Sequence, residues 1–222
     1  MKGTVLVPPK RGVVKKLDRL LLRKDGALRA CPARVLDNFN YDDLRVWCHL
    51  RGVYGIPTEE LVACLRSLTL SHSCLEIGAG RSCVGRSLGW TCTDNLMQTW
   101  PEIQQFYALQ GQPCIQYPEG VLEMDALDAV DTFKPSCVFG SWVTSWIDPE
   151  KPMPPEGGNM YGVKEPEIWS RPWVKMYIVY GNECVHGRKP LLREPHETLR
   201  APWMWSRAIN PEDNVLYIWR KA

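Results

Sequence analysis

Residues 74–95, CLEIGAGRSCVGRSLGWTCTDN, run a short apolar segment into an acid, then two glycines, a helix-like run, and a second apolar segment that ends on another acid. This order of residue types predicts a strand, a Gly-rich turn, a short helix and a second strand. Gly78 and Gly80 allow positive φ and a close approach of main chain to a ligand. The acids Glu76 and Asp94 stand at or near the carboxyl ends of the two expected strands.

The same alternation continues downstream. Strands are expected at 74–77, 91–93, 121–124, 137–140 and 176–180, and helices at 84–88, 96–109 and 126–133. Such alternation predicts the α/β class, a mostly parallel twisted sheet with helices on both faces. Ligands of such sheets sit at the carboxyl ends of the strands, where the strand order reverses. PWMWSRAI, the turn NPEDN and VLYIWRK predict a closing antiparallel hairpin at the C-terminal edge. Upstream, Leu44, Trp47 and Leu50 suggest a helix that Gly52 ends, and Thr58 before Glu59 and Glu60 reads as the N-cap of another. Between them VYGIPT is a loop placed to lie over whatever the first strand binds.

The composition of this 222-residue chain, 45% hydrophobic and 23% charged, suits one domain with a full core. No apolar run approaches 18 residues and no charged-then-apolar signal follows Met1, so a soluble, cytoplasmic protein without membrane contact is expected. Nine cysteines without a C-x-x-C pair, beside four histidines, predict reduced thiols and no metal site. Charge is uneven: residues 1–34 hold ten Lys or Arg and two Asp, whereas the remainder holds 17 basic and 23 acidic residues. The expected organisation is a basic, partly helical extension over 1–40 and a domain over 41–222 with a lid-like insertion at 141–173. The extension reads either as an amphipathic helix with a solvated basic face or as an arm for nucleic acid or another acidic partner.

Three chemistries compete for the turn at 78–87. A dinucleotide turn needs a third glycine where Cys83 stands. A phosphate loop matches GRSCVGRS except that Arg86 replaces the lysine, and the carboxylate of Glu76 opposes a triphosphate. S-adenosylmethionine (SAM) carries a sulfonium, an ammonium and a phosphate-free ribose, so nearby acids favour it. Asp94 is placed for the ribose hydroxyls, as the acid is in dinucleotide folds.

LEIGAG, TDN and VLEMDAL resemble the first three motifs of the class I SAM-dependent methyltransferases over roughly residues 54–222, and CVFGSWV is similar to the fourth. The resemblance implies a Rossmann-like fold and a SAM site of Glu76, Gly78, Gly80, Asp94, Asn95, Asp125, Ala126 and Ser141. Within it Asp125 takes the adenine amino group, Ala126 and Leu127 lie against the ring, and Ser82 stands where the family has a third glycine. Each acid also has a structural reading, as a strand end or a helix cap.

The implied reaction is in-line transfer of the sulfonium methyl to a nucleophile, with no metal required. The amine-methylating DNA enzymes carry [DNS]-P-P-[FYW] where this chain has GSWV, and the carbon-5 class carries a Pro-Cys after strand four that is missing here. The expected acceptor is therefore a small molecule, a protein or RNA. Trp142, Trp146 and Tyr161 in the insertion are candidate acceptor walls, and His186, with Asn182 beside it, is the preferred general base, ahead of Asp148 and Glu165. The alternative function is a SAM-binding module that transfers nothing and acts through a partner.

Overall fold

The computed structural model describes residues 11–221 except Ser82, Pro155 and Glu156. Seven strands form the main sheet: β1 (Cys74–Ile77), β2 (Thr91–Asp94), β3 (Val121–Glu123), β4 (Cys137–Ser141), β5 (Met176–Asn182), β6 (Glu197–Leu199) and β7 (Asn214–Arg220). Their spatial order is β3-β2-β1-β4-β5-β7-β6. Only β7 runs against its neighbours. The order reverses between β1 and β4, which are paired in parallel from Cys74 with Cys137 to Ile77 with Gly140. A crevice therefore opens above the carboxyl ends of these two strands.

Helices α1 (Arg11–Leu21), α2 (Ala33–Leu36), α3 (Tyr41–Leu50), α4 (Glu59–Leu68), α5 (Cys83–Leu88), α6 (Pro101–Leu109), α7 (Ala126–Phe133), α8 (Glu165–Ser170) and α9 (Glu183–His186) complete the chain. The central strands divide their side chains between two cores with period two. Cys137, Phe139, Met176, Ile178, Tyr180, Leu216 and Ile218 join Leu17, Trp47, Leu61 and Val84 on one face. Val138, Tyr177, Val179, Val215, Tyr217 and Trp219 join Ala129, Val130 and Ile168 on the other. Both faces are thus covered, which is why β4, β5 and β7 read as nearly unbroken apolar runs.

Several boundaries differ from expectation for local reasons. The helix expected over 96–109 is split, because Pro101 lacks the N–H a helix interior requires and instead opens α6. The residues before it form a 3-10 turn, Met97–Thr99, entered through Leu96 at φ 53°. The C-terminal antiparallel pair is present, but its first arm is β6, not the residues around Trp205. Trp205 and Ser206 pair with Ile56 and Gly55 in a separate two-stranded ribbon. Thr58 caps α4 as expected, its hydroxyl accepting the Leu61 N–H at 3.1 Å.

The expected extension is not separate from the domain over its described part. Leu17, Leu21, Leu28 and Leu36 are buried in the same core as Trp47, and Asp18 accepts the Trp47 indole N–H and both arms of Arg51 at 2.7–2.9 Å. Arg11, Lys15, Lys16, Arg19, Arg23, Lys24, Arg29 and Arg34 remain exposed. Residues 1–10 lie outside the described residues, as does Ser82. No described helix is long and apolar enough to cross a membrane.

Candidate functional site

The turn after β1 holds Gly78 at φ 55° and Gly80 at φ 51°. A Cβ on Gly78 would lie 2.8 Å from Val143 Cγ1, so this position excludes side chains by space as well as by backbone angle. Gly80 N–H donates to Asp94 Oδ2 at 2.9 Å, and Leu96 N–H to Oδ1 at 2.9 Å. Burial raises the pKa of Asp94, while these two amides and the Tyr117 hydroxyl oppose the shift. A carboxylate has about four lone-pair sites. Three protein donors therefore leave Asp94 an acceptor position for a further hydroxyl.

A cleft above the reversal point is lined by Gly78, Gly80, Asp94, Asn95, Asp125, Ala126, Ser141, Trp142 and Tyr161, among others. Most of the expected cofactor set is thus brought together, from the ends of β1, β2 and β4 and the start of α7. Asp125 is exposed and caps α7, accepting the Leu127 N–H at 2.9 Å, so its capping role is real and its second oxygen is unused by that bond. Ala126 and Leu127 both pack against the core, and of the two only Ala126 also lines the cleft.

Glu76 does not line this cleft. It is fully buried behind the turn, where Oε2 accepts the Gly85 N–H at 2.8 Å and Oε1 has no partner. Burial raises its pKa to about 7. A Cβ on Gly85 would meet Glu76 Oε2 at 2.5 Å, so that glycine brings α5 onto the strand. Glu76 thus holds an amide of α5 from behind the turn and, unlike the other expected cofactor residues, is not part of the cleft wall.

Several lining residues were not legible as site residues. Val53, Tyr54 and Gly55 come from the VYGIPT loop, whose place over the site was anticipated, although no single residue was. Ile115 and Tyr117 come from the irregular segment between α6 and β3, where no periodicity gave a signal. Arg81 lines the cleft with its guanidinium donating to the carbonyls of Arg51 and Gly26.

A second cleft of about 550 Å³ adjoins the first and shares Tyr54, Tyr107, Trp142 and Thr144 with it. Trp142 stands between the two at φ 59°, an uncommon angle for a bulky residue. Its ring packs edge-on to His186 at 5.2 Å and lies 6.1 Å from Tyr54. Tyr161 lines only the first cleft and stacks edge-on against Trp100. Trp146 lines neither and instead carries Lys164 over its ring, so it is not an acceptor wall.

The expected base is corrected as well. His186 is buried, and desolvation, with the charge of Lys189, lowers its pKa to about 3. Its Nδ1 accepts the Asn182 N–H at 3.0 Å. A neutral imidazole of such low basicity is a poor proton acceptor at neutral pH. Asn182 is committed too: Oδ1 accepts the Cys184 N–H, and Nδ2 donates to Asn210 O and Asn214 Oδ1. Of the weaker alternatives, Glu165 is buried in an ion pair with Lys189 at 2.7 Å and Asp148 pairs with Lys151 at 3.1 Å. The Glu165 pair, with hydrogen bonds from Ser145 and Tyr177, pins the insertion to the sheet. Among the described residues no group of three His, Cys, Asp or Glu is arranged to hold a metal ion.

Comparison with protein-family models, with curated proteins and with solved structures finds no match for this chain.

Proposed function

We propose that the chain is a SAM-dependent methyltransferase with a Rossmann-like, class I architecture. The observation that carries this reading is the convergence, at the point where strand order reverses, of a two-glycine turn with the carboxylates of Asp94 and Asp125. The order β3-β2-β1-β4-β5 reproduces the first five positions of the doubly wound dinucleotide-binding sheet, which supports the fold assignment. Two acids on the cleft wall oppose a triphosphate and suit a cationic, phosphate-free nucleoside.

Asp94 would take the ribose hydroxyls and Asp125 the adenine amino group. SAM supplies an activated methyl group, so this chain's part is to hold and align. Gly78 and Gly80 admit the main chain of the turn to contact distance, and Trp142 separates the nucleoside cleft from the second one. The first cleft measures about 190 Å³, less than the roughly 300 Å³ at the lower end of ordinary ligand pockets. Binding of SAM therefore requires this cleft to widen.

Incubation with methyl-labelled SAM and pools of small molecules, peptides and RNA tests the reading. Label transfer to one pool is the expected result. SAM binding with no transfer to any pool would instead leave a binding module, and no SAM binding would reject both.

A further inference from the structure

The second cleft has a composition that narrows what it can accept. Tyr54, Phe106, Tyr107 and Trp142 give it ring walls, and it contains no Asp or Glu among its lining residues. Among its described lining residues the one permanent charge is Arg207, whose guanidinium carbon lies 3.6 Å from the centroid of the Tyr54 ring. The Arg207 main-chain N–H donates to Tyr54 O at 2.9 Å, so both ends of the residue are fixed to the loop that roofs the first cleft. Among the described residues no carboxylate pairs with this guanidinium. A stacked guanidinium keeps its in-plane N–H groups free to hold an anion.

The walls offer no base. The titratable neighbours are Tyr54, Tyr107, Cys184 and His186. Burial pushes the Tyr107 hydroxyl well above its ordinary pKa, Asp213 and burial push the Cys184 thiol up, and His186 stays neutral. An acceptor that must first lose a proton to a side chain is poorly served here, whereas a nitrogen with an available lone pair needs only alignment.

Building on the methyltransferase reading, we infer that the second cleft binds a planar acceptor carrying an anionic group, with the ring against Trp142 and Tyr107, the anion on Arg207, and an unprotonated nitrogen as nucleophile. The nitrogen lone pair forms the new N–C bond to the methyl group as the C–S bond breaks, and that bond's electrons return to sulfur to leave neutral S-adenosylhomocysteine. Any proton on the methylated nitrogen passes to water at the cleft mouth. Two sources supply such chemistry, a nucleotide phosphate and an aromatic carboxylate.

Calorimetric titration of cytidine 5′-monophosphate against cytidine, and of pyridine-3-carboxylate against pyridine, tests the assignment, each with and without saturating S-adenosylhomocysteine. At least one anion is expected to bind about tenfold or more tighter than its neutral counterpart, the scale of a charged hydrogen bond. The pair that shows the preference identifies phosphate or carboxylate as the anion. Arg207→Gln should abolish the preference, and Arg207→Lys, which keeps the charge but loses the planar fork, should retain part of it. Equal affinity within both pairs for the wild-type protein overturns the inference, as does a preference that survives in folded Arg207→Gln. Absence of S-adenosylhomocysteine binding counts against the methyltransferase reading alone, because the charge preference is also measured without it.

Discussion

The Asp94 carboxylate accepts the Gly80 N–H at 2.9 Å, tying the end of β2 to the glycine turn that follows β1. One side chain thereby shapes the turn and, in the proposed function, holds the ribose. Asp94→Ala removes both roles and is expected to weaken SAM binding by about 1–3 kcal/mol, the scale of a lost buried hydrogen-bonding partner. Calorimetry on the folded variant checks this, and unchanged affinity would return Asp94 to a capping role.

Gly78 faces two constraints at once, a positive φ and the Val143 side chain. Gly78→Ala should cost about 1 kcal/mol or more in stability, because a left-handed backbone and a close contact both disfavour the new methyl. In a Val143→Ala background, which relieves the contact but not the angle, the glycine substitution should cost less than it does in the wild-type protein, as thermal unfolding of the four proteins measures. A vanishing cost in that background would mean the angle costs nothing.

The pKa of Glu76 is raised by burial from its ordinary 4.5 to about 7. The folded protein therefore binds this proton more tightly than the unfolded chain. The stabilisation it provides is complete below pH 4.5 and is lost as pH rises through 7, a total of roughly 3 kcal/mol at 1.36 kcal/mol per pKa unit. Glu76→Gln should flatten the dependence of urea-unfolding free energy over this window and make the protein more stable than wild type at pH 8. An unaltered slope would show that Glu76 is ionised throughout.

Lys189 and Glu165 form an ion pair at 2.7 Å with both residues buried. Lys189→Met leaves the Glu165 carboxylate uncompensated and should destabilise the fold by about 3–5 kcal/mol, while Lys189→Met with Glu165→Leu should recover most of it. Chemical denaturation of the three proteins measures the difference.

His186 is expected to remain neutral across the range in which free imidazoles titrate, because burial depresses its pKa. Its ring nitrogen shifts, followed by NMR from pH 5 to 8, should stay flat. A midpoint near 6.5 would restore it as a candidate base.

The sheet was legible because its signals are local and repeated. β1 has the expected bounds, and β2, β4 and β5 run only one or two residues beyond them. Period two could not reveal the strand order, which depends on pairings across the whole chain, nor that Trp205 would leave the main sheet to pair with Ile56. Helix α6 was misread where Pro101 competed with an apolar periodicity and prevailed. In the site, the glycine turn and Asp94 were legible because short-range backbone geometry dictates them. The fates of Glu76, Asn182 and His186 were not, because residue type says nothing of burial. Each of these side chains is buried against backbone or side-chain partners that its sequence neighbours do not reveal. Arg207 gave no signal at all, since its stacking partner Tyr54 is far away in sequence.

Side-by-side calorimetric titration with SAM, S-adenosylhomocysteine, ATP and NAD tests the central claim most directly. The account predicts saturable binding of SAM and S-adenosylhomocysteine, weakened in Asp94→Ala, and no binding of ATP or NAD that S-adenosylhomocysteine displaces. ATP or NAD that competes with SAM and binds more tightly than it would contradict the account.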